Sequence, residues 1–186
     1  MKKQIFIING SGGVGKDAFV NMVNSQSLEE LAIVGNYSSV DKVKAIAKII
    51  GWDGSKTERD RKFLSDLKLL TTEYNDMPLN DLKEYANIFL NRYTYRESNT
   101  PRMLFLHIRE PEEIAKAVKA FKEYDAKTVL VKKDSVKHIT SNMADENVYN
   151  YDYDIVINNN GTLEELAEKA MHFLDDFLND GLRNVY

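Results

Sequence analysis

Apolar residues come along this chain in short runs separated by longer stretches of helical spacing. The first run, Ile5-Phe6-Ile7-Ile8, is unbroken, as in a strand buried on both faces, and Ala18-Phe19-Val20-Asn21-Met22-Val23 after it reads as a helix. Leu31-Ala32-Ile33-Val34 reads as a second buried strand. Val43, Ile46, Ala47 and Ile50 then recur at helical spacing until Gly51 stops the helix. Thr57 begins another helix, with Phe63, Leu67, Leu70 and Tyr74 on one core-facing stripe. Pro78 separates it from a third, striped by Leu82, Tyr85, Ala86, Phe89 and Tyr93. Residues 103–108 form the next buried strand. Pro111 then sits in a helix first turn, where its missing N–H leaves no bond unmade, and Ile114, Ala117, Val118 and Phe121 are the buried face. Residues 128–131 and 155–157 are the last two strands, and Thr162-x-x-Glu165 is a capping box opening a helix with Leu166, Ala170, Phe173 and Phe177 inward.

Strands alternating with helices predict an α/β fold, a parallel sheet with helices on both faces and ligands beyond the carboxyl ends of the strands. The 186 residues suit a single domain, 1–186, with no repeat, low-complexity tract or linker. Two insertions stand out, a helical region of about residues 41–93 and a polar segment of about residues 132–149.

Between the first strand and the first helix lies Gly10-Ser11-Gly12-Gly13-Val14-Gly15-Lys16-Asp17. Gly-x-x-x-x-Gly-Lys between strand and helix wraps a polyphosphate. Glycines let the backbone approach phosphate oxygens, N–H groups point inward, and the helix start adds its dipole. Gly12, Gly13, Val14 and Gly15 thus become the cradle, with Lys16 reaching the terminal phosphates. A glycine turn ahead of a core-packing helix is the plainer alternative. Asp17 stands where the common motif has a Ser or Thr that ligates Mg²⁺. Its carboxylate is also a hard oxygen ligand, so Asp17 is the candidate metal residue, or else a solvated first-turn acid favoured by the helix dipole.

With Gly-Lys-Asp the chain resembles the small P-loop kinases of the bacteriophage deoxynucleoside monophosphate kinase and animal phosphomevalonate kinase group. The resemblance implies a P-loop NTPase-like three-layer α/β/α fold with a five-stranded parallel sheet. The first insertion becomes the helical acceptor-binding region and the second a short lid. It further implies ATP and Mg²⁺ as cofactors and phosphoryl transfer to a nucleoside or deoxynucleoside monophosphate. Another small phosphorylated acceptor, phosphomevalonate-like, is the alternative, as is nucleotide binding without catalysis.

Phosphoryl transfer needs positioned substrates and cations more than covalent chemistry. Arg109, just after the third strand in His107-Ile108-Arg109-Glu110-Pro111, resembles the arginine that contacts phosphate in the phage kinases; an ion pair with Glu112 or Glu113 is its alternative. His107 occupies the place where related kinases put a metal-organising Asp, and reads as a satisfied core histidine, with Glu110 a substitute carboxylate. Ser38, Ser39, Asp41 and Lys44 open the acceptor side. Arg61, Ser65 and Lys68 share a polar helix face able to hold the acceptor phosphate, with Asp66 and Glu73 facing its sugar or base. Lys132, Lys133, Lys137 and His138 are lid candidates, and Asn159 and Asn160, after the last strand, resemble the loop that borders adenine in those kinases, with turn-forming Asn ahead of a capped helix as the alternative. Val131-Lys132-Lys133-Asp134 resembles a guanine-reading motif, but Val131 cannot hydrogen-bond through its side chain and no Asp-x-x-Gly follows the third strand.

Composition narrows this further. Net charge is −4, so a phosphate site must be local and no basic surface argues for nucleic acid. With no cysteine there is no disulfide, thiolate metal site or cysteine nucleophile. No apolar run nears the roughly 18 residues of a membrane span, and no signal peptide precedes the first strand. The expectation is a cytoplasmic enzyme, monomer or homodimer, with a small-molecule nucleotide acceptor and no nucleic-acid or membrane partner.

Overall fold

The structure, a computed structural model, describes residues 1–27, 31–91, 99–136 and 147–186. Strands β1 (Lys3–Asn9), β2 (Ile33–Ser38), β3 (Arg102–His107), β4 (Lys127–Lys132) and β5 (Ile155–Asn158) form one parallel sheet in the order β2-β3-β1-β4-β5. The central strand alternates between two cores. Ile5 and Ile7 face helices α4 (Met77–Asn91) and α5 (Pro111–Ala120) through Leu82, Ala86, Leu90, Ile114 and Ala117. Phe6 and Ile8 face α1 (Lys16–Ser27) and α6 (Leu163–Leu178) through Phe19, Val23, Phe173 and Phe177. On that side Phe6 lies 5.0 Å from Phe173 and 5.3 Å from Phe105, ring centre to ring centre. The result is the three-layer α/β/α arrangement that the strand and helix pattern implied.

The second strand differs from the sequence reading. Leu31 is exposed, and β2 starts at Ile33 and runs on through the polar Asn36 and Ser38. As the sheet's edge it carries no continuous apolar run. Gly35 is there because the Phe89 ring lies against it, 2.7 Å from where a Cβ would stand. Helix α2 (Asp41–Ile49) ends before Ile50, which is exposed instead of core-facing.

A larger correction concerns α3 (Glu58–Asn75). Thr57 caps it through a capping box with Asp60, but none of its residues is buried. Leu70 is 63% and Tyr74 85% exposed. The helix packs chiefly on α2 and α4 beyond the sheet, so its apolar stripe finds only a partial cover. Asp76, left-handed at φ 53°, separates α3 from α4, and Pro78 lies inside α4's first turn. Tyr93 of the predicted α4 stripe, and the lid candidates Lys137 and His138, lie outside the described residues.

A further piece of sheet went unread in the sequence. Residues 184–186 run beside β5: Val156 N–H donates to Asn184 O at 2.8 Å and Tyr186 N–H to Val156 O at 2.9 Å. The Tyr186 ring packs on Phe173, and its hydroxyl donates to Asp176 at 2.9 Å. Among the described residues no helix is long and apolar enough to cross a membrane.

Candidate active site

The switch in strand order places β1 between β3 and β4, so a crevice opens above its carboxyl end. Residues 10–15 fill that end as a loop, and α1 starts at Lys16. Gly13 at φ +83° adopts a backbone that L side chains rarely take, and beyond it nothing lies within 4 Å. The loop therefore presents open space on one side, while Ser11 Oγ is buried inside it with no partner among the described residues. Lys16 Nζ reaches over the loop to the carbonyl of Gly10 and, at 2.9 Å, to that of Ser11. A positive charge thus sits at the centre of a ring of backbone groups beside a helix N-terminus, a site suited to an anion.

Asn159 braces the cradle from β5. Its side chain donates to Val14 O at 2.8 Å, and its N–H to Lys132 O at 2.8 Å. Asn160 exchanges two hydrogen bonds with Asp134, at 2.8 and 2.7 Å. The candidate adenine-side residues are therefore tied to the end of β4. Asp134, the acid of the guanine-type motif, is already engaged by Asn160.

His107 ends β3 against the cradle. Its Nε2 is buried without a hydrogen-bond partner among the described residues, 3.9 Å from Asp17 Oδ1. Burial pushes the imidazole below its ordinary value, and the Asp17 carboxylate works against that shift. The expected satisfied core histidine is thus unsatisfied. The charges of Lys16, Asp17, Asp41 and Arg109 all bear on this ring, which marks where the chain's candidate chemistry converges.

Arg109 is exposed at the same edge, its carbonyl held by Asn9 Nδ2 at 2.9 Å. One proposed partner, Glu113, is bound to Lys68 at 2.7 Å. In the candidate acceptor turn, Ser39 N–H donates to His107 O at 3.1 Å, and Asp41 accepts from Ser38 N–H at 2.9 Å and pairs with Lys44 at 3.7 Å. This turn is held against α4 by the stacked rings of Tyr37 and Tyr85, 3.9 Å apart, with the Tyr37 hydroxyl donating to Asp81. Ser39, Asp41 and Lys44 are thereby brought to the β3 edge. Arg61 and Asp66 lie further out on exposed parts of α3, Asp66 paired with Lys62 at 2.7 Å. Among the described residues no three metal-ligating acids or histidines cluster, so a cation here would be completed by its ligand's own oxygens.

Asn9 and Tyr153 escaped the sequence reading. Asn9 Oδ1 accepts from Gly10 N–H at 2.8 Å, and its Nδ2 donates both to Arg109 O and, at 2.8 Å, to Tyr153 Oη. Tyr153 in turn donates to Val148 O at 2.8 Å, and burial pushes its hydroxyl up to about 12, so it stays a donor. One amide therefore ties the cradle, the Arg109 turn and the 147–153 segment together. A polar residue closing the apolar run Ile5–Ile8 was the available signal. Tyr153→Phe is expected to lower stability by about 1–2 kcal/mol, because Val148 O loses its donor and Asn9 one acceptor. A denaturant midpoint that drops at constant slope would show it.

The parallel sheet and the glycine cradle at its central strand together make a P-loop-type α/β/α fold. No family model matches the chain, and no curated protein does. Solved structures do resemble it. The APS kinase CysC of Mycobacterium tuberculosis, in complex with AMPPNP and APS, superposes with a TM-score of 0.53 at 12% identity, over 94% of this chain and 98% of that one. The tunicamycin resistance protein of Deinococcus radiodurans gives 0.51 at 13% identity, over 100% of this chain and 99% of that one. At such identities the likeness is one of fold.

Proposed function

We propose that this chain is an ATP-dependent phosphotransferase acting on a nucleoside or deoxynucleoside monophosphate. The observation that carries it is the cradle with Lys16 at its centre, set at the strand edge where His107, Arg109 and the 38–44 turn converge. The buried Ser11 hydroxyl, without a partner among the described residues, and the open space beyond Gly13 fit a bound polyphosphate. The fold likeness to a kinase described with AMPPNP agrees with ATP as donor.

On this reading the N–H groups of Gly12 to Gly15 and Lys16 hold the β- and γ-phosphates, with Asn159 and Asn160 bordering the adenine. Asp17 would hold Mg²⁺, which when bound supplies charge neutralisation on the transferring group. Ser39, Asp41, Lys44 and Asp66 line the acceptor side, with Arg61 on its phosphate. Arg109 stabilises the transferring phosphoryl group as its bond to the β-phosphate breaks and an acceptor phosphate oxygen binds phosphorus. An arginine suits both places because its planar fork takes two oxygens at once.

Coupled assays of ATP against ribo- and deoxyribonucleoside monophosphates, with phosphomevalonate included, test the proposal. Turnover of a nucleotide acceptor is the expected result. Turnover of phosphomevalonate alone, or ATP binding without turnover, would replace it with the corresponding alternative. On the best acceptor, Arg109→Lys is expected to lower kcat by about 10²-fold, the scale of a lost transition-state charge contact. Arg61→Ala should raise the acceptor KM and leave that of ATP unchanged. Unaltered kinetics in both would remove these arginines from the site.

A further inference from the structure

The phosphoryl-transfer reading leaves His107 unused, and its surroundings are unusual for an idle residue. The side chain is 14% exposed, and Nε2 has no partner among the described residues. A buried polar atom left unpaired keeps its full desolvation cost, so something in the working protein should meet it. Asp17 Oδ1 stands 3.9 Å away. That gap is too wide for an imidazolium–carboxylate hydrogen bond, which closes to about 2.7–2.9 Å. Nε2 and the carboxylate thus face each other across a space that suits a cation. Two atoms bound to one ion at about 2.1 Å lie about 3–4 Å apart. Asp17 is 84% exposed on its side chain and free to make the small adjustment. Lys16, next in the chain, places the space beside the phosphate cradle.

We propose that His107 Nε2 and the Asp17 carboxylate jointly ligate the divalent cation of the bound nucleotide, and that this nitrogen ligand makes the protein select Mn²⁺ over Mg²⁺. The inference rests on the nucleotide-binding reading of the Lys16 loop. Mg²⁺ demands a strict octahedron of oxygen ligands and sheds water reluctantly, whereas the larger Mn²⁺ also favours oxygen but accepts one imidazole among its oxygens at less cost. The negative charge of Asp17, where the common motif has a neutral hydroxyl, adds electrostatic hold on the ion.

The test uses the full chain with AMPPCP, whose bridging carbon contributes no nitrogen, and Mn²⁺ as the probe. Pulsed paramagnetic resonance should show a directly bound ¹⁴N nucleus, lost in His107→Gln while AMPPCP still binds. A signal from adenine would survive that substitution and overturn the assignment. In case the variant folds poorly, ¹⁵N-histidine labelling of the unmutated chain gives the same answer: the ¹⁴N lines must give way to ¹⁵N. Mn²⁺ should bind the nucleotide complex about tenfold or more tighter than Mg²⁺, a ratio that His107→Asp should compress by supplying a hard oxygen. If AMPPCP binds and Mn²⁺ shows only oxygen ligands, this inference falls and the kinase reading stands. If AMPPCP does not bind at all, both fall.

Discussion

Lys16→Ala is expected to cut turnover by on the order of 10²–10³-fold and to weaken ATP binding at least about tenfold, with little change in stability. The ammonium bridges the Gly10 and Ser11 carbonyls of its own loop, so removing it takes away a local contact and leaves both cores intact. What it removes for a ligand is larger. The charge sits over the glycine loop, on the Gly10 and Ser11 carbonyls, and a partly enclosed cation acts on phosphate more strongly than one in water. Titration of ATP with calorimetric readout, alongside kcat on the best acceptor, measures both effects. Unchanged affinity and rate would remove the loop from the chemistry altogether.

Gly10→Ala should act through stability. Gly10 has φ +150°, and a Cβ there would stand 2.3 Å from Val131 O and 2.9 Å from Val14 Cγ2. The carbonyl cannot retreat, because Val131 belongs to β4, which is paired with β1 on one side and β5 on the other. A backbone clash combined with an unfavourable φ is worth about 3 kcal/mol or more. For a chain of this length that lowers the melting temperature by roughly 6–12 °C. Gly13→Ala is the control: nothing lies within 4 Å of its Cβ position, so only the strain of φ +83° remains, about 1–3 kcal/mol. Equal melting temperatures for the two variants would mean that the close approach of Val131 does not matter.

The central part of the fold was legible because its physics is local. An unbroken apolar strand, a glycine loop and a lysine at a helix start are contiguous in sequence, and both capping-box acids lie three residues from their threonines. Edge and satellite elements were less so. Periodicity shows that α3 has an apolar stripe but not whether anything covers it, and β2 hides its strand character behind Gly35, Asn36 and Ser38. The site divides the same way. Lys16 and Asp17 announce themselves, whereas Asn9 meets Tyr153 across 144 positions, with no sequence pattern to join them. His107 was noticed for its place, but only the fold brings its nitrogen opposite Asp17 with no hydrogen-bond partner among the described residues.

The shallow seating of α3 has a consequence for how stability is distributed. Helix α6 buries Leu166, Ala170, Phe173, Leu174 and Phe177, whereas α3, two residues longer, buries none. Its order depends on partial packing against α2 and α4, the Thr57 box at one end, the turn at Asp76 at the other, and the Lys68–Glu113 pair between. Such an element opens at a free-energy cost well below that of global unfolding, so the chain divides into a slow-opening sheet with its flanking helices and a fast-opening α3. An acceptor that binds α3 would give up part of its affinity to holding that helix still, and loosening or tightening α3 could retune substrate affinity without a change in any residue that touches the substrate.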